Sequence, residues 1–80
     1  MRSIMIRPED RMEIAQRINE IRLDANMLQS EFGERLGVGR LAVCRWENRA
    51  QLPPMKTIRK MAEEFNTTPE WILYGRDSDE

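Results

Sequence analysis

The stretch Gln29 to Glu47, QSEFGERLGVGRLAVCRWE, constrains this chain more than any other. At helical spacing its first half puts Phe32, Gly33 and Leu36 on one stripe. Gly37-Val38-Gly39 then breaks the helix within three residues, and Gly37 is free to take the left-handed conformation that ends it. A second short amphipathic run follows, with Val43 and Trp46 at i, i+3 facing inward. Arg40, Leu41, Cys44 and Arg45 fall on the opposite, wet face. The pattern predicts two short helices held at an angle by a glycine-containing turn.

The rest of the chain packs around that pair. Residues 1–7 precede any helix. Ile4 and Ile6 alternate with Met5 there, so an extended arm and a frayed terminus are both open, and an arm carrying Arg2 and Arg7 could reach nucleic acid or a second subunit. Pro8 suits a first helical position, and Glu9, Asp10 and Glu13 suit the first turns electrostatically. Met12, Ile14, Ala15, Ile18 and Ile21 form the stripe this first helix should bury, with Asn26 ending it. Met27 then enters the core. Leu52-Pro53-Pro54 closes the loop after Glu47. A fourth helix runs from about Met55 to Phe65, with Met55, Ile58, Met61, Ala62 and Phe65 inward. Thr68 is a good N-cap with Pro69 after it, and a fifth helix gathers Trp71, Ile72, Leu73 and Tyr74 before Gly75. Residues 76–80 read as a disordered acidic tail. The prediction is one all-α domain of five helices over residues 8–75.

At 80 residues the chain buries only roughly 60% of its unfolded surface, so the core must be tight or helped by a partner. With 40% hydrophobic and 34% charged residues it has the balance of a soluble globule. No apolar run is long enough for a membrane span, and a signal-peptide core is missing. A single cysteine cannot pair within the chain, which fits a reducing cytoplasm. With no histidine the usual zinc sites are excluded, as is a histidine base, and no glycine-rich phosphate loop is present. No cofactor, metal, small-molecule substrate or enzymatic activity is expected.

The net charge of −1 hides a strong asymmetry. Residues 1–28 balance five Arg against five acids, residues 29–60 hold seven Lys and Arg against three Glu, and residues 61–80 hold Arg76 against six acids. Positive charge therefore concentrates on the segment built around the two short helices, where phosphates would lie.

Two helices joined by such a turn form the helix-turn-helix signature, whose second helix enters a DNA major groove. From about Ile14 to Gly75 the chain resembles the Cro/CI family of phage repressors and controllers, the lambda-repressor-like or XRE-like domains. The resemblance rests on Gln29, Phe32-Gly33, Leu36-Gly37-Val38, Val43, Trp46-Glu47, Pro53, Met61-Ala62 and Trp71-Ile72-Leu73. It implies a compact five-helix lambda-repressor-like domain that reads bases from Arg40, Leu41, Cys44 and Arg45. An arginine fork can bind guanine O6 and N7, and an apolar side chain can meet a thymine methyl. Phosphate contact is the other role open to Arg40 and Arg45. The resemblance also implies that Gln29 binds DNA backbone and braces a neighbouring base-reading side chain, with Asn48, Arg49 and Gln51 as further backbone contacts. Arg35, Lys56 and Arg59 are additional candidates.

Other positions take structural roles by the same resemblance. Arg22 and Glu47 match a family ion pair. Leu73 and Tyr74 match an end through which relatives dimerise, whereas Trp71 is expected mostly in the core. Three departures stand out: Leu28 where the family has a capping Thr or Ser, Gly39 where it has Ser, and Arg49 where it has Gly. Gly33 stands where the two motif helices cross closely. The expected function is that of a small Cro-like repressor or autoregulating controller, binding a palindromic double-stranded operator as a homodimer. A helix-turn-helix fold used to grip a protein, as in an antitoxin or phage accessory protein, is the rival reading.

Overall fold

Five helices follow in chain order in the computed structural model, which describes residues 8–75: α1 (Pro8–Asp24), α2 (Gln29–Leu36), α3 (Arg40–Glu47), α4 (Met55–Glu64) and α5 (Pro69–Tyr74). The readings made for the arm, residues 1–7, and for the tail, 76–80, lie outside the described residues. The core joins Ile14, Ile18 and Ile21 of α1 to Phe32 and Leu36 of α2, Val43 and Trp46 of α3, Ile58, Met61 and Ala62 of α4, and Ile72 of α5. The four helices after α1, of six to ten residues, are too short to be stable in water alone. Burial of these shared side chains is what holds them.

Every predicted stop is present, with its reason visible. Asn26 and Gly37 take left-handed backbone, at φ 62° and 80°. At Gly37 the chain closes α2 by donating from Gly37 N to the Glu34 carbonyl and from Val38 N to the Gly33 carbonyl, so two otherwise orphaned carbonyls are satisfied. Thr68 caps α5, its Oγ1 accepting from Trp71 N at 3.0 Å.

Two predicted core residues lie further out. Met12 is 41% exposed and Met55 43% exposed. Both residues sit at the edge of their stripe, Met12 lining a cleft beside the end of α3 and Met55 a groove beside α5. Trp71 is half-buried, packed on the rim of the core, and the fully buried residue of α5 is Ile72. Thr57 is buried on α4 although its polarity gave no sign of it.

Leu28 occupies the N-cap of α2 with φ −72° and ψ 161°, and its own side chain makes no capping bond. Glu31 supplies half of a capping box by accepting from Leu28 N at 2.8 Å. The other half has no acceptor, because leucine carries none. Leu28 is also 66% exposed, so nothing is gained from its apolar bulk. Leu28→Thr should therefore raise stability by about 1 kcal/mol, read as a higher midpoint in urea with an unchanged slope.

Candidate nucleic-acid interface

The short helix α3 is positioned from behind. Val43 and Trp46 are buried in the core, at 0% and 3% exposure. The turn before α3 packs against α2 at Gly33, where an added Cβ would lie 2.9 Å from the carbonyl oxygens of both Val38 and Gly39. The close approach is thus between α2 and the backbone of the turn rather than between two helix faces. Its outward face carries Arg40, Leu41 and Arg45, all exposed. Cys44 is only half-buried on that face, and its Sγ accepts from Asn48 Nδ2 at 3.4 Å. Ala42, adjacent to Leu41, turns partly toward the core.

Behind the face lies one connected polar network centred on Glu47. Arg22 Nε donates to Oε2 at 2.7 Å and Arg22 Nη2 to Oε1 at 3.1 Å, a bidentate pair joining α1 to α3. Arg22 Nη1 also donates to the Met27 carbonyl at 2.9 Å, which ties in the turn leading to α2. Gln29 Nε2 donates to Glu47 Oε1 at 3.0 Å, and Asn19 Nδ2 donates to the same oxygen at 3.3 Å. With its amide nitrogen turned to Glu47, Gln29 presents Oε1 to the solvent side, where Arg40 Nη1 donates to it at 3.4 Å. The order is therefore ion pair, then amide, then exposed guanidinium. Burial pushes the Glu47 carboxyl upward. The hydrogen bonds from Arg22, Gln29 and Asn19, with the Arg22 charge, outweigh that and hold it below its ordinary value.

Asn19 was missed in the sequence. Its signal was present, since it stands three residues before Arg22 and so shares a face of α1. Polar residues on a half-polar helix give no cue about which one turns toward a carboxylate.

Of the predicted backbone set, Gln29, Asn48 and Arg49 line one cleft of about 420 Å³ between α1, the start of α2 and the end of α3, which Met12, Ala15, Gln16, Asn19 and Glu47 complete. Gln51 is exposed in the following loop and is not among the cleft residues. Lys56 and Arg59 are exposed on α4. Arg35 is turned toward α4, with Nη1 3.5 Å from Glu64 Oε1 and its guanidinium over the Phe65 ring at 5.6 Å.

The left-handed residue that ends α3 is Arg49, at the position where the family has Gly. Asn48 keeps φ −91°, and Arg49 takes φ 65°. Arg49 N donates to the Trp46 carbonyl and Ala50 N to the Arg45 carbonyl, closing α3 as Gly37 closes α2. An arginine pays for that geometry where a glycine would not, at about 1–2 kcal/mol.

Leu73 and Tyr74 lie elsewhere, on an apolar groove of about 410 Å³ shared with Leu52, Pro53, Met55, Ile58, Pro69 and Glu70. Leu73 is half-buried and Tyr74 is 44% exposed. No helix among the described residues is long and apolar enough to cross a membrane.

Comparison with known proteins agrees with this geometry. The chain superposes on the P22 c2 repressor, solved in complex with a synthetic operator, with a TM-score of 0.74 at 22% identity over 79% of this chain and 96% of that one. It superposes on the hypothetical transcription factor NHTF from Neisseria with a TM-score of 0.73 at 20% identity, over 91% of this chain and 85% of that one. In sequence it is 27% identical over 66 residues to the HTH-type transcriptional activator BcrR of Enterococcus faecalis, matching 82% of this chain. The chain spans about a third of the length of that relative, 32%. The Helix-turn-helix family model matches residues 18–72, from the centre of α1 to the buried isoleucine of α5. A motif, a turn geometry and a superposed fold converge on one conclusion: the chain belongs to the helix-turn-helix family of Cro/CI (XRE) type, a family of DNA-binding transcription regulators.

Proposed function

We propose that this chain is a sequence-specific regulator that binds double-stranded DNA with α3 in the major groove, as a homodimer on a palindromic operator. The observation that carries this reading is the exposed face of Arg40, Leu41 and Arg45 beside a cleft lined by Gln29, Asn48 and Arg49. Arg45 and Arg40 read base edges, with Leu41 and Cys44 in apolar contact and Gln29, Asn48, Arg49 and Gln51 on the backbone. Leu73 and Tyr74, on the apolar groove, join the two copies. Occupancy of a promoter would repress by exclusion, as a Cro-like phage or autoregulating repressor does. Of the similar proteins, P22 c2 is called a repressor and BcrR an activator.

Arg40 and Arg45 should differ in rigidity. Arg40 meets Gln29, itself anchored to Glu47, whereas exposed Arg45 makes no side-chain hydrogen bond or ion pair among the described residues. A guanidinium held before DNA arrives loses less rotamer entropy on binding.

Two substitutions test the sorting of contacts. Arg45→Ala should relax preference at one base position, a loss of about 1–3 kcal/mol on the best operator, with nonspecific affinity retained. Arg49→Gly should raise stability by about 1 kcal/mol by removing the left-handed arginine, yet weaken binding to all sequences and shallow the salt slope by about one unit. Selection from random duplexes, followed by titration at several salt concentrations, reads the binding changes, and urea denaturation reads the stability change. A steep salt dependence and a symmetric consensus support the reading. Salt-insensitive capture of a protein through exposed Leu28 and Leu41, with no enriched duplex, would favour the protein-gripping alternative.

A further inference from the structure

We infer that Arg17 is a positioning residue for the dimer, setting the angle at which α5 presents Leu73 and Tyr74. The inference rests on the dimer reading above. Arg17 lies on α1, 55 and 56 residues before its partners, and its side chain is 15% exposed. Its Nε donates to the Ile72 carbonyl at 2.8 Å and its Nη2 to the Leu73 carbonyl at 2.9 Å. The fork thus holds two successive carbonyls of the last turn of α5, groups that have no partner within their own helix. The cation also complements the negative end of that helix.

The need for such a clasp follows from the length of α5. Six residues cannot hold a helix by themselves, and Ile72 is the single residue of α5 that is fully buried. Gly75 gives an independent sign that the end of α5 is fitted to Arg17. It takes φ 77°, and an added Cβ there would lie 3.0 Å from Arg17 Nη1. Leu73 and Tyr74 sit in the same turn, with the groove of Leu52, Met55 and Ile58 beside them. Freed from Arg17, that turn would lose the fixed geometry that makes docking of a second copy inexpensive. The base-reading helix is held separately by Arg22, Gln29 and the core. Recognition of a half-site and assembly of the dimer are therefore separable at Arg17.

The test compares wild type, Arg17→Lys, Arg17→Met and Glu13→Gln as full chains. Glu13 lies 3.9 Å from Arg17 Nη1 and serves as a control, since its loss leaves the fork intact. Sedimentation equilibrium measures the dimer constant, far-ultraviolet circular dichroism the fold, and titration of one half-site against the full operator the DNA contacts. Arg17→Lys keeps charge and bulk but has no fork, so it should stay folded and weaken dimerisation by about tenfold. Its base preferences on a half-site should match wild type. Arg17→Met should weaken the dimer at least as far, and Glu13→Gln should leave it unchanged. A lysine variant with a wild-type dimer constant overturns the inference, as does one whose half-site preferences change along with its dimer constant. If wild type itself is monomeric at every concentration, on and off DNA, the dimer reading falls and this inference with it.

Discussion

Arg22→Met should destabilise the domain by about 3 kcal/mol, the lower end of what breaking a buried ion pair costs. The methionine replaces the bulk of the arginine stem but leaves Glu47 with a negative charge that only Gln29 and Asn19 then face. The turn into α2 loses its tie as well, because Arg22 Nη1 no longer reaches the Met27 carbonyl. For an 80-residue domain with roughly 4–12 kcal/mol of total stability, that is a large fraction, and operator binding should fall with it. Loss of binding in this variant therefore reports unfolding rather than a lost DNA contact. Urea denaturation monitored at the tryptophans would separate the two. A native-like midpoint with lost binding would place Arg22 on DNA instead.

Glu47 adds a pH dependence to the same result. Its carboxyl is held below the ordinary carboxylate value in the folded protein by Arg22, Gln29 and Asn19, so the unfolded chain binds the proton more readily. The stability it contributes is fully present above that ordinary value and disappears as pH falls through the lower folded value. Wild type should lose stability on acidification in that range. Arg22→Met, with the main cause of the depression removed, should show a shallower acid slope. Parallel denaturation series at neutral and acid pH measure the difference.

The second large effect is expected at Gly33. Gly33→Val should cost about 3 kcal/mol, because its Cβ would meet the carbonyls of Val38 and Gly39 at 2.9 Å and backbone cannot step aside as a side chain can. Even Gly33→Ala should be net destabilising, although alanine is better than glycine in a helix interior by about 1 kcal/mol. Sign is the informative quantity here. A stabilised Gly33→Ala would show that the turn can shift outward without penalty. The same substitution should misdirect α3, since the turn that is displaced is the one that sets its angle to α2. DNA affinity measured on folded Gly33→Ala protein should therefore fall more than its stability does.

The element order was legible because local signals agreed with one another. Pro8, Asn26, Gly37, Gly39 and Thr68-Pro69 each mark a boundary by their own backbone chemistry, and apolar spacing between them fixes the type of each segment. The same is true of the outward set Arg40, Leu41 and Arg45, which follows once Val43 and Trp46 are assigned to the core. Spacing alone did not distinguish the edge of a stripe from its centre. Met12 and Met55 look like core residues along the chain and lie 41% and 43% exposed, because the width of cover is a property of the neighbouring helix.

The sequence by itself determined where helices start and stop, which face of α3 is wet, and that positive charge gathers around it, since all three depend on residues within a turn or two of each other. Apart from the Arg22–Glu47 pair and the Gln29 brace, which the family resemblance implied, only the tertiary structure decided which polar groups meet. Asn19 and Gln29 converge on Glu47, Arg17 reaches across to the carbonyls of Ile72 and Leu73, and Arg35 turns to Glu64. Likewise, only the closing of α3 forced the left-handed turn onto Arg49 rather than Asn48. Long polar side chains carry no period that reveals their partners. Their choice is made by which helices the apolar core has already brought within reach.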